Sequence, residues 1–180
     1  MIVYYKMKKS IVVLLLILFA QSSSKLLASD TLEVYNTQSK IHNAAYKYLL
    51  NAKEYMILNC NLISQDLDEN KQIISVNDCQ LIDCLEESIV SFNQVIIGLK
   101  KINAIQQEDL DLVIAKYEQA ICDIISMRQE KEIDLYSTEC ESKDYYRTYM
   151  QELGYILDTV NSAKAKFYLL QRQEMKLAKN

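Results

Sequence analysis

The 180-residue chain has no proline, no tryptophan, two glycines and one histidine. Two glycines without proline cannot supply the turns of a β-sandwich or an α/β fold. The fold class is therefore all-α. A single histidine excludes the paired Glu-x-x-His motifs of a di-iron bundle. His42 follows Ile41 on a helical stretch, has no acid or cysteine at ligand spacing, and is expected to face solvent. Gly98 and Gly154 are 56 residues apart, so neither a phosphate-binding glycine loop nor a Gly-x-Ser-x-Gly elbow is present. Cys79 and Cys84 stand five apart, on different faces of a helix, which does not make half of a zinc site. No catalytic group, metal or cofactor is expected, and the chain does not read as an enzyme. Asn-x-Ser/Thr glycosylation acceptors are also absent.

What is present begins with an export signal. Lys6, Lys8 and Lys9 precede the apolar run Ile11–Ala20, and Leu26-Leu27-Ala28 offers a small-residue cleavage site. The run of ten apolar residues is half of the roughly 20 needed to span a bilayer, which favours a cleaved signal over a membrane anchor. Residues 1–28 are thus expected to be removed and residues 29–180 to form one domain. Their loss takes four lysines and no acid, moving the formal charge from −4 to −8. Such a balance argues against nucleic acid and anionic membranes as partners and leaves room for a basic protein.

Four amphipathic stretches follow. The first runs from Leu32 to about Ser64, with Ile41, Ala45, Tyr48, Ala52 and Tyr55 on one face. Gln65–Ser75 is polar and acidic and reads as a connection, with Asn77 as the next N-cap. The second helix carries Leu85, Ile89, Phe92, Ile96 and Leu99, and the third Leu110, Ile114, Tyr117, Ile121 and Ile124. Both stripes step 4, 3, 4, 3, and Asn103-Ala104-Ile105-Gln106 reads as the break between them. Arg128–Glu132 reads as a solvated overhang, and Thr138 with Glu141 as a capping box for the fourth helix. That helix has the longest stripe, Tyr146 to Leu170, and a charged tail from Gln171 expected to fray. The pattern predicts an up-and-down four-helix bundle.

Five cysteines, Cys60, Cys79, Cys84, Cys122 and Cys140, all fall in the exported part, where disulfides are expected. Cys84 and Cys122 each lie 19 residues from Asn103, so a hairpin folded there sets them at one level. Cys60 and Cys79 are likewise symmetric about the Gln65–Ser75 link. Cys84–Cys122 with Cys60–Cys79 is the preferred pairing and leaves Cys140 odd, free to dimerise the chain. Cys79–Cys140 is the rival, since spacing does not fix connectivity.

With Asp83-Cys84-Leu85-Glu86 opening one helix and Cys122-Asp123 closing the next, the chain resembles the plant invertase and pectin methylesterase inhibitor family. The resemblance covers about 75 residues. It implies a secreted bundle, stapled between its second and third helices, that inhibits an extracellular carbohydrate-active enzyme of the cell wall or apoplast. Two family features are missing: no close cysteine pair precedes Leu58, and Ala115–Ala120 is bulkier than the family's small-residue run. The alternative is an exported helical bundle with a structural or interaction role and no enzyme target. Eleven tyrosines follow residue 28, five of them between Tyr136 and Tyr155. They either fill a core short of Phe and Trp or, at Tyr145, present an exposed protein interface.

Overall fold

The computed structural model describes the backbone of residues 2–65, 67–102, 104, 106–135 and 142–177, and the side chains of residues 32–65, 70–102, 104, 106–132 and 142–176. The signal of residues 1–28, Asn103, Thr138, Glu141 and Cys140 lie outside the residues whose side chains are described.

Among the described residues, four helices make the fold: α1 (Ile2–Ile63), α2 (Leu67–Leu99), α3 (Gln107–Leu135) and α4 (Lys143–Leu177). Among the described residues there is no strand. α1 lies against α2 and α4, and α3 against the same two, closing a ring around one core. The directions follow from paired residues. Gln38 meets Gly98 and Asn59 meets Asp78, so numbers rise along α1 as they fall along α2. On the other side Asn36 pairs with Gln171, Ser39 with Tyr168, Asn43 with Lys164 and Tyr46 with Asn161. These four polar pairs step along both helices by three or four residues, which is the repeat of one helix face. The bundle is up-and-down, as the stripes predict.

The stripes themselves are the core. Leu85, Phe92, Leu99, Leu110, Tyr117, Ile124, Tyr146, Leu153, Val160 and Phe167 are all buried. Burying a large apolar side chain contributes about 1.5–3 kcal/mol, and these residues line up on the inner faces of three helices. Both glycines are helical, and they differ in surroundings. A Cβ at position 98 would collide with the Gln38 side chain, whereas at position 154 nothing lies within 4 Å. Gly98 thus makes room on α2 for the Gln38 side chain of α1, and at Gly154 the surface of α4 has space for a side chain.

Boundaries differ from expectation in four places. α1 begins at Ile2 instead of Leu32. α2 begins at Leu67, so most of the Gln65–Ser75 link is helix and Asn77 is not a cap. The extension keeps Ile74 and Asp78 in phase with Leu81 and Leu85 on the buried face. Asn77 instead donates its amide to Asn59 at 2.7 Å. α4 is capped by Ser142, whose Oγ accepts the Tyr145 N–H at 3.2 Å. Its tail does not fray at Gln171, which is buried and bonded to Asn36, and α4 continues to Leu177.

Candidate functional site

Near the end of the bundle where α1 meets α2, the core turns polar. Asp78 on α2 and Lys131 on α3 are each 3% exposed and form an ion pair at 3.0 Å. Tyr146 on α4 donates its hydroxyl to the same carboxylate, 3.0 Å from Oδ1 and 2.9 Å from Oδ2. Asn59 on α1 adds its amide at 2.9 Å and also bonds the Ile74 carbonyl at 3.2 Å. The Lys131 ammonium rests 4.5 Å from the Tyr145 ring centre and 4.6 Å from that of Tyr146. One residue from each of the other three helices therefore converges on the Asp78 carboxylate. These groups are almost fully buried, and they satisfy one another's hydrogen bonds.

The overhang expected at Arg128–Glu132 is corrected by this arrangement. Arg128 bonds Glu86 and Glu132 at the surface, but Lys131 points inward. It does so because the α3 stripe continues from Ile124 through Met127 to position 131, in phase with the core. Tyr145 is also corrected: it is half-buried against Tyr146, Tyr149 and Lys131 rather than an exposed interface. The exposed tyrosine of this helix is Tyr155.

His42 is a further correction. It is 1% exposed, hydrogen-bonded through Nδ1 to the Tyr117 hydroxyl at 2.9 Å, and set edge-on to Phe92. Nε2 is buried without a hydrogen-bond partner. Burial, reinforced by the nearby Lys164 charge, lowers its pKa to about 3. The ring is therefore neutral near pH 7, and it joins α1 to α3 across the core.

The cysteines do not pair as expected. Cys60, Cys79, Cys84 and Cys122 are free thiols. The Glu86–Arg128 ion pair at 3.3 Å sets the α2–α3 register. It places Cys84 level with position 130, roughly 12 Å along the axis from Cys122. A disulfide needs Cα atoms about 4.4–6.8 Å apart. The hairpin is simply not symmetric about Asn103. Cys84 lies on the same side of α2 as Asn77 and Gly98, the side that meets α1, while Cys122 is exposed. Cys60 and Cys79 are near one level but face apart, Cys60 toward the Lys143 carbonyl at 3.9 Å and Cys79 toward solvent. Burial raises the pKa of the Cys60 and Cys84 thiols, for Cys84 with help from Asp83 and Glu87. That makes both poor nucleophiles.

Charge is divided unevenly among the helix sequences. α2 carries six acids and one lysine, and α3 eight acids and three bases, −10 together, or −8 with Lys100 and Lys101 of their connection. α1 from Leu32 onward carries three lysines and two acids, and α4 six bases and four acids, +3 together. Between α3 and α4 an open groove of about 300 Å³ is lined by Asp123, Glu130, Glu152 and Tyr155 among others. The Glu152 pKa is raised by burial and by Glu130. No cluster of His, Cys, Asp or Glu suited to a metal occurs among the described residues. No helix among them is long and apolar enough to cross a membrane.

Set against known proteins, the chain matches no family model, no curated sequence and no solved structure.

Proposed function

We propose that the chain is an exported, non-catalytic bundle that works by binding a protein through its acidic α2–α3 side. The charge division carries this reading: −10 on one pair of adjacent helices against +3 on the other. A field of one sign over one side speeds encounter with a basic surface and disfavours acidic ones. The internal polar groups support it in another way. Asp78, Lys131 and Tyr146 are bonded to one another and almost fully buried.

Inhibition of pectin methylesterase or invertase is the specific form that the inhibitor-family resemblance implies. Its motif residues Asp83, Glu86, Cys122 and Asp123 all belong to α2 and α3. Its staple, however, is missing from the register of these helices. The test is residual activity of each enzyme with the purified chain in micromolar excess. If the inhibitor form holds, activity falls and is restored by the triple change Asp83→Asn, Glu86→Gln, Glu87→Gln. Full activity of both enzymes removes the inhibitor form and leaves protein binding to be tested as follows.

A further inference from the structure

The acidic side has an apolar centre. Two ion pairs tie this side together: Glu86 of α2 with Arg128 of α3 at 3.3 Å, and Lys100, the residue after α2, with Glu118 of α3 at 2.8 Å. Val90 follows Glu86 by four residues and Ile125 precedes Arg128 by three, so both lie one turn inward from the first pair. Ile97 precedes Lys100 by three and Cys122 follows Glu118 by four, one turn inward from the second. Residues so spaced share a helix face. Val90, Ile97 and Ile125 are 49%, 56% and 37% exposed, and Cys122 is exposed too. With exposed Asn93 between Val90 and Ile97 on the same face, an uncharged strip therefore runs along the α2–α3 seam, closed at each end by an ion pair. From Glu86 to Lys100 it is about 21 Å long.

We propose that this strip seats a basic amphipathic helix of a protein partner, an inference that rests on the acidic-side reading above. Strip length matches about four turns of helix. Val90 and Ile97 are seven residues apart, two turns, the repeat at which an apolar helix face presents its side chains. The rim is acidic, with exposed Asp83 and Glu87 on α2 and Asp111 on α3. Lysines or arginines flanking the partner's apolar residues would meet these carboxylates. This is the arrangement of a docking surface, an apolar centre within a charged rim. A second copy of the chain does not fit: like faces would oppose −10 to −10, and its other side offers only +3.

The probe is a synthetic leucine–lysine peptide of about 18 residues with leucines at helical spacing, titrated into the purified chain and followed by fluorescence anisotropy. Binding is expected to weaken as salt rises. It is also expected to weaken at least about tenfold in the double variant Val90→Gln, Ile97→Gln. The control Leu50→Gln, Ile57→Gln, on α1, is expected to leave it unchanged. Salt-sensitive binding that ignores the Val90/Ile97 change overturns the strip and spares the acidic-side reading. No binding at any salt concentration overturns both. A concentration-dependent dimer lost in the Val90/Ile97 variant would put a second copy on the strip and overturn the basic-helix proposal.

Discussion

Lys131→Met alone is expected to lower the free energy of unfolding by about 3–5 kcal/mol, because it leaves the Asp78 carboxylate charged, buried and without its counter-ion. The cost comes from the stranded charge more than from the lost bond. The double change Asp78→Asn, Lys131→Met should therefore recover most of the loss. Asparagine keeps an oxygen for Tyr146 and Asn59 and brings no charge, and methionine fills the volume of the lysine stem. Urea unfolding followed by circular dichroism gives both values. A single-variant loss below about 1 kcal/mol is what an exposed ion pair gives, and would mean that Lys131 does not sit in the core.

Acid should weaken the fold through His42. The folded pKa is about 3 against 6.5 for the free side chain. Below pH 6.5 the unfolded chain takes up a proton that the folded chain refuses, so stability falls as pH falls, down to about 3. Each unit between those limits costs about 1.4 kcal/mol. From pH 7 to pH 5 the loss from this one ring is about 2 kcal/mol, before most carboxylates titrate. His42→Gln keeps a partner for the Tyr117 hydroxyl and cannot be protonated. Its stability should change much less over the same interval. Equal acid sensitivity in the two proteins would show that His42 is not buried as a neutral ring.

These two groups also show what the sequence made legible. The helices were visible because apolar residues recur at three and four, and the 4, 3, 4, 3 steps lie on the faces that are buried. Residue type alone hides the polar node, since Asp78, Lys131 and Asn59 are residues that usually face solvent. By position they were legible: Asp78 stands between Ile74 and Leu81, Lys131 four after Met127, and Asn59 three after Met56. Each occupies the next step of a buried stripe, and a charge in that phase is either paired inside or breaks the helix. Asp78 and Lys131, opposite in sign, were a candidate pair. His42 follows the same rule, three residues before Ala45.

Register was not legible. Symmetry about Asn103 assumes that the two helices leave the turn at equal heights. The α2–α3 connection instead spans residues 100–106, with Lys101 and Ile102 continuing the end of α2 through bonds to Gly98 and Leu99. A few residues of asymmetry move a distant pair by turns, which is why the Cys84–Cys122 pairing does not follow from spacing. Long-range bonds such as Glu86–Arg128 decide it, and they depend on three-dimensional packing that periodicity does not contain.

A thiol map of the purified, unreduced chain tests this account most directly. Native alkylation followed by proteolysis and mass spectrometry should find Cys84 and Cys122 unjoined, with exposed Cys79 and Cys122 modified sooner than the half-buried Cys60 and Cys84. A peptide pair linked through Cys84 and Cys122 would contradict the α2–α3 register, and with it the strip between the two ion pairs.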